Sequence, residues 1–252
     1  MSETVIVVPC FNEAARLQDG PFLQLAAREG VRLRFVDDGS RDGTGERLAR
    51  LAAEGHGRVS VLSLPANRGK GEAVRQGMLA ALAEGARVVG YVDADLSTPV
   101  EEILRLLAEM ERRGAAVVMG ARVALLGATI RRRPHRHYLG RLFATAASVV
   151  LGVAVYDTQC GAKFFRATPT LGGALATPFR SRWVFDVELT GRLLLGAGGT
   201  PPLRAGDFLE VPLQQWTDVS GSKLGALHMM RAAWDLVVIA GELRALRRRE
   251  RT

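Results

Sequence analysis

Asp93, Ala94 and Asp95 put two carboxylates two residues apart at the end of the apolar run Arg87-Val88-Val89-Gly90-Tyr91-Val92. At a strand end that spacing points both to the same side. Held together they would repel, and one would take up a proton. A hard divalent cation removes the conflict, and Mg2+ or Mn2+ typically takes one or two carboxylates plus phosphate oxygens. Most D-x-D triplets are solvated turns. This one is singled out by the apolar strand before it and the helix start after it.

Three more polar clusters follow apolar runs or precede helices. Asp37-Asp38-Gly39-Ser40 has turn chemistry, but a carboxylate at a strand end can also accept hydrogen bonds from a base or ribose. Pro9-Cys10-Phe11-Asn12-Glu13 closes the first apolar run. Asn67-Arg68-Gly69-Lys70-Gly71-Glu72-Ala73 sets glycines and cations ahead of a helix, which suits an anion at the helix N-terminus. The P-loop pattern is absent, and no G-x-G-x-x-G follows the first strand, which argues against a dinucleotide oxidoreductase.

The elements that must position these groups alternate in type. Thr4–Val8, Arg32–Val36, Val59–Leu62, Arg87–Val92 and Ala115–Gly120 read as strands, the first as one buried on both faces and ended by Pro9. Helices are expected over Glu13–Glu29, Thr44–Glu54 and Gly71–Glu84. Another should start with Thr98 as N-cap, Pro99 in the first helical position and Glu101 completing a capping box. This rhythm implies a mostly parallel sheet with helices on both faces, and functional groups in such sheets gather at the carboxyl ends of the strands. The second half is less regular. It offers helices over Leu139–Leu151 and Trp183–Leu195, and an edge strand over Leu209–Leu213, given its proline.

Four motifs in order, each at its strand end, carry a resemblance. Val7-Val8-Pro9-Cys10-Phe11-Asn12-Glu13, Val36-Asp37-Asp38-Gly39-Ser40-Arg41-Asp42-Gly43-Thr44, Asn67-Arg68-Gly69-Lys70-Gly71-Glu72-Ala73-Val74 and Asp93-Ala94-Asp95 look like glycosyltransferase family 2. Asp157-Thr158-Gln159-Cys160-Gly161-Ala162-Lys163-Phe164-Phe165, Arg182–Leu189 and Gly221-Ser222-Lys223 resemble the dolichyl-phosphate β-glucosyltransferases and their bacterial polyprenyl-phosphate relatives. The resemblance implies an α/β, GT-A (Rossmann-like) fold: one domain over 1–226 with a mostly parallel central sheet flanked by helices, then an amphipathic basic tail over 227–252. It implies inverting, metal-dependent transfer of a hexose, glucose from UDP-glucose, to a polyprenyl or dolichyl phosphate, with Mg2+ or Mn2+. Pro9, Glu13, Asp38 and Asp93 would contact the nucleoside, Asp95 would bind the metal, and Lys70 would lie near the nucleotide. Arg122 would face the diphosphate or the acceptor phosphate.

The acceptor decides whether a base is needed. A hydroxyl must lose its proton to a carboxylate within hydrogen-bond reach, and Asp157 is the candidate; with an ionised phosphate, Asp157 would instead orient Arg or Lys side chains. Arg131, Arg132, Arg133 and Arg136, ahead of an apolar helix, suit a phosphate on a greasy chain. A soluble hydroxyl compound or glycan as acceptor, GDP-mannose as donor, and a non-catalytic nucleotide-sugar binder are the competing readings.

The net charge of +8 favours an anionic partner. Nucleic acid is disfavoured, because aromatics are only 6% of the chain and base stacking needs them. The longest apolar run, Leu142–Val155, is short of the roughly 20 residues of a membrane helix, and Met1-Ser2-Glu3-Thr4 has no signal-peptide pattern. The expectation is a cytoplasmic protein in peripheral contact with the inner face of the membrane. A homo-oligomer is left open. Cys10 and Cys160 show no metal-like spacing and read as reduced, partly buried thiols.

Overall fold

The computed structural model describes residues 3–131, 134–218 and 226–249. The first half runs β1 (Thr4–Cys10), α1 (Asp19–Ala26), β2 (Val31–Asp37), α2 (Thr44–Glu54), β3 (Val59–Ser63), α3 (Lys70–Ala83), β4 (Val88–Val92), α4 (Val100–Arg113) and β5 (Val117–Ala121). It continues through β6 (Thr129–Arg131), α5 (Pro134–Leu151), β7 (Ala162–Arg166), α6 (Pro169–Leu175) and α7 (Phe185–Leu195). A 3-10 turn leads into β8 (Phe208–Pro212), then β9 (Gln215–Thr217) and α8 (Ala226–Arg249).

Seven strands form the central sheet in the order β3-β2-β1-β4-β7-β5-β8. The pairs β1–β2, β1–β4, β2–β3 and β5–β8 are parallel, and β7 runs antiparallel between β4 and β5. The sheet is therefore mostly parallel, and β8 is its edge, as its proline foretold. Side chains alternating along β1 feed two cores. Ile6 and Val8 pack with Phe22, Phe35, Leu48 and Ile103, whereas Val5 and Val7 pack with Val74, Met78, Tyr91 and Phe185. Burial on both faces is why β1 is an unbroken apolar run. The Phe22 and Phe35 rings meet edge to face at 5.0 Å, and truncating either fully buried ring to Ala would cost about 3–5 kcal/mol.

Three local expectations are corrected. Pro9 does not end β1, which runs on to Cys10. Pairing with β4 stops at Val7, so Pro9 is flanked only by Val36 of β2, an edge condition that tolerates proline. The helix expected from Glu13 begins at Asp19. The amides of Asn12, Glu13 and Ala14 are bound by Ser40 Oγ, Thr44 Oγ1 and Asp42 Oδ2, and Gln18 is extended. Tertiary bonds have overruled helix propensity there. The N-cap of α4 is Pro99, not Thr98. The Glu102 and Ile103 amides bond the Pro99 carbonyl, and Thr98 is buried.

Strands β6, β7 and β9 and helix α6 were not foreseen. The helix expected from Leu139 starts earlier, at Pro134, so Arg136 lies within α5. Along α8, Leu236, Ile239 and Leu243 pack with Ala147 and Leu151 of α5 and Val187 of α7. No helix among the described residues is long and apolar enough to cross a membrane.

Candidate active site

The carboxyl ends of β1, β2 and β4 carry the first half of the candidate site. Ala94 is buried while Asp93 and Asp95 stand half-exposed on either side of it. Asp95 Oδ1 accepts the Ser97 amide at 3.0 Å and the Ser97 hydroxyl at 2.8 Å, which fixes the rotamer. Asp93 Oδ1 lies 2.5 Å from Lys70 Nζ, at the start of α3. Burial would push the Lys70 pKa down, but Asp93, Asp186 and Asp95 outweigh it and the net shift is upward. Gly161 is a packing requirement here: a Cβ on it would fall 1.9 Å from Asp93 Oδ2.

Asp38 is buried, and its two oxygens take the amides of Arg68 (2.7 Å) and Gly69 (2.8 Å). It thereby holds the turn that delivers Lys70, and Gly69 adopts φ +97, a conformation that favours glycine. Asp37 accepts the Ser40 amide at 2.9 Å. Pro9 is half-buried on β1. Burial raises the pKa of Glu13; Arg16, 2.5 Å away, opposes this, and nearby Asp95 and Asp93 add to it. Glu13, Asp93 and Asp95 thus share one electrostatic neighbourhood.

The second half lies at the end of β5. Arg122 Nε and a terminal nitrogen grip Asp157 at 2.6 Å and 2.8 Å, and the Arg122 amide adds a third bond at 3.0 Å. The guanidinium also stacks on Trp216 of β9, 5.3 Å from the ring centroid. Burial alone would raise the Asp157 pKa, but Arg122 holds it down at about 2. With the Gln159 amide at 3.1 Å, the Asp157 carboxylate has four donors. Desolvation works against the Arg122 charge, yet Asp157 keeps the group firmly protonated, and Asp93 acts on it in the same direction. The two halves are therefore electrostatically continuous.

Two groups between them, one buried and one half-buried, had no assigned role in the sequence. Lys163, 1% exposed on β7, donates to Asp186 Oδ1 and to the Cys160 carbonyl, both at 2.6 Å. The Tyr91 hydroxyl donates to the same Asp186 oxygen. Glu210 of β8 accepts the amides of Tyr156 and Asp157. A lysine inside an apolar strand and a glutamate inside Leu209–Leu213 were the available signals.

Of the four arginines expected at the acceptor, Arg132 and Arg133 lie outside the described residues, as do Gly221, Ser222 and Lys223. Arg131 ends β6, and Arg136 lies in α5. Both cysteines are unpaired, as expected, and fully rather than partly buried.

Two half-exposed carboxylates suit a cation that also takes phosphate oxygens and water, rather than a closed protein cage. Among the described residues no three His, Cys, Asp or Glu side chains gather to hold an ion. A donor set of Asp95 and Asp93 therefore fits Mg2+ or Mn2+ only in partnership with a diphosphate.

The glycosyl transferase family 2 model matches residues 5–172, two thirds of the chain, including Glu13, Asp38, Lys70, Asp93 and Asp95. The chain belongs to glycosyl transferase family 2. A dolichyl-phosphate beta-glucosyltransferase of Trichomonas vaginalis is 31% identical over 256 residues, covering 96% of this chain and 72% of that protein. The Drosophila melanogaster dolichyl-phosphate beta-glucosyltransferase is 32% identical, over 88% of this chain and 69% of its own length. A polyprenol monophosphomannose synthase of Mycolicibacterium smegmatis is 31% identical, over 76% and 72%. Among solved structures, the glycosyltransferase fold matches that of Mycobacterium tuberculosis glucosyl-3-phosphoglycerate synthase in complex with Mn2+, UDP-glucose and phosphoglyceric acid. The TM-score is 0.66 at 18% identity, covering 95% of this chain and 80% of that one. This likeness supports the GT-A architecture expected from the motifs.

Proposed function

We propose that this glycosyltransferase moves glucose from UDP-glucose to a polyprenyl phosphate with inversion at the anomeric carbon. The observation that carries the acceptor class is the state of Asp157. A carboxylate held at a pKa of about 2 by four donors is a poor proton acceptor. What it does instead is fix Arg122, a cation suited to a phosphate, and an ionised phosphate needs no base. The relatives named for dolichyl phosphate and polyprenol point the same way.

In this reading Pro9, Glu13 and Asp93 line the nucleoside pocket. Asp38 shapes its wall through the Arg68–Gly69 turn, and Lys70 faces the diphosphate. Asp95, with Asp93 beside it, would hold Mg2+ or Mn2+, whose charge offsets the negative charge developing on the leaving diphosphate. An acceptor phosphate oxygen bonds to the anomeric carbon as the bond to the UDP oxygen breaks, and that electron pair leaves with UDP. An α-linked donor gives a β-linked product. The stretch from 131 to 136 contributes four arginines, Arg131, Arg132, Arg133 and Arg136, the residue type an acceptor phosphate calls for.

Peripheral attachment at the cytoplasmic face of a membrane completes the reading. Leu142 of α5 and Trp234 of α8 are 70% and 67% exposed, and Val149 and Val237 are exposed on the same two helices. Arg141, Arg231, Arg244 and Arg248 are exposed on the same two helices. Exposed apolar side chains and cations on one pair of helices suit an anionic interface.

The test is incubation with radiolabelled UDP-glucose, GDP-mannose and other nucleotide sugars, with polyprenyl phosphate and Mg2+ or Mn2+, then extraction into organic solvent. Label from UDP-glucose should enter the organic phase. Label from GDP-mannose instead would move the donor to the mannose branch. Label confined to the aqueous phase, on an added soluble acceptor, would overturn the lipid assignment.

A further inference from the structure

The segment 156–160 joins both halves of the site without belonging to any helix or strand. Its Asp157 grips Arg122, and Gly161, just after it, packs against the Asp93 carboxylate. Packing holds its middle: Asp157, Thr158 and Cys160 are buried, Cys160 in the same core as Ala162 and Phe164. The backbone polar groups at its two ends need partners of their own.

Two charged side chains supply the hold. At the loop's start, Glu210 takes the Tyr156 amide at 2.8 Å and 3.0 Å and the Asp157 amide at 2.5 Å. At its end, Lys163 Nζ donates to the Cys160 carbonyl at 2.6 Å. The chemistry is matched in sign: backbone donors meet an anion, a backbone acceptor meets a cation. Charge-assisted bonds of this kind are short and strong. Asp186 balances the lysine at 2.6 Å and connects it to Tyr91, on the strand that leads to Asp93. Burial raises the Glu210 pKa, while the two amides it accepts oppose the rise.

We propose that Glu210 and Lys163 are positioning residues that clamp the two ends of loop 156–160, so that the Asp157 carboxylate is fixed against the fork of Arg122. Neither is a catalytic residue. Their action passes through the loop backbone to Asp157 and from there to the guanidinium. A two-point fork tolerates little drift: a shift of about 1 Å in the carboxylate would break one of its two bonds. The clamp itself rests on the geometry alone. Only its consequence for transfer rests on the proposed role of Arg122 at an acceptor phosphate.

The experiment uses the full chain and reads Arg122 directly. In 15N NMR, the Arg122 Nε–H should exchange slowly with solvent, with Asp157→Asn as the reference for its loss. In Glu210→Gln, which keeps the shape but loses acceptor capacity, exchange should quicken about tenfold or more. UDP affinity by calorimetry should stay within about twofold of wild type. The double variant Lys163→Met with Asp186→Asn, which removes the buried pair without stranding a charge, should also quicken Arg122 exchange. Unchanged exchange in either variant overturns the assignment of that residue. A parallel loss of UDP affinity in Glu210→Gln would mark a general structural role and overturn positioning. The wild-type protein supplies a check that needs no variant: the Tyr156 and Asp157 amides should exchange as slowly as those of the β5–β8 ladder, and loop-like exchange would sink the clamp. For transfer, Glu210→Gln should raise KM for polyprenyl phosphate about tenfold. A wild-type enzyme that ignores polyprenyl phosphate would defeat the acceptor reading while leaving the exchange results standing.

Discussion

The Lys70 ammonium and the Asp93 carboxylate lie 2.5 Å apart, across the line where α3 begins and β4 ends. Each is only partly exposed, at 24% and 37% of its side chain. The pair brings a cation to the site of two acids before any ligand arrives. It limits the repulsion between Asp93 and Asp95, and it keeps a charged group beside the place proposed for the diphosphate.

Replacing that cation should therefore weaken nucleotide binding more than it weakens the fold. Lys70→Met is expected to reduce UDP affinity about tenfold, the loss of one charge-assisted bond. Calorimetry with UDP, alongside a thermal melt, separates the two effects. Unchanged UDP affinity would place Lys70 outside the nucleotide pocket.

Asp95→Asn should abolish metal-dependent transfer while the melt stays close to wild type. Asp95 is half-exposed at a strand end, and its bonds to Ser97 fall on Oδ1, which an asparagine oxygen can still supply. The loss should exceed about a hundredfold in kcat, the scale on which removing one preorganised charge-stabilising group is felt. Mn2+ binding in the presence of UDP should disappear with it. Wild-type turnover in this variant would end the metal assignment for Asp95.

Much of the cluster at the ends of β1, β2 and β4 was legible because parallel strands buried on both faces leave long apolar runs, and polar clusters then stand out at their ends. Glu13, Asp38, Lys70, Asp93 and Asp95 could all be picked out that way. The rest was hidden by tertiary context. Strand β7 contains Lys163, whose charge breaks the apolar pattern until Asp186 is seen to balance it. Trp216 lies on a three-residue strand too short to show a period, and its partner Arg122 is 94 residues earlier in the chain. The start of α1 was misplaced because its would-be first amides are spent on the loop 40–44, which no local pattern reports.

The Arg122–Asp157 pair should make stability pH-dependent in a defined direction. The Asp157 pKa in the folded protein is about 2, below its ordinary value of 3.8. A depressed carboxylate contributes stability above the unfolded pKa, and that contribution fades as pH falls from about 4 towards 2. Its size at neutral pH is about 2 kcal/mol, from the linkage between pKa shift and stability. Denaturant melts of wild type and Asp157→Asn should accordingly differ most above pH 5 and converge towards pH 2. A gap that stayed constant down to pH 2 would show that the carboxylate charge is not what Asp157 contributes.

Binding to anionic vesicles, reversible and weaker at high salt, is the expected behaviour of the α5–α8 surface. One basic residue in the tail must be discounted first. Arg247 is turned inward and donates to the Leu151 carbonyl at 2.9 Å, capping the C-terminal end of α5. Among the described residues, the exposed cations of α5 and α8 are Arg141, Arg231, Arg244 and Arg248. Cations near an anionic leaflet contribute about 1 kcal/mol each, and salt shortens the reach of that attraction. The apolar share comes from Leu142, Val149, Trp234 and Val237, none of which is needed by the core that Leu236, Ile239 and Leu243 build on the other side of α8. Leu142→Glu with Trp234→Glu should thus leave the melt unchanged and abolish sedimentation with phosphatidylserine vesicles at low salt. The same double change should raise KM for a membrane-embedded polyprenyl phosphate and leave UDP affinity alone. If the wild-type protein stays in the supernatant at low salt, these helices do not form a membrane-binding face, and a soluble acceptor becomes the better reading of the site.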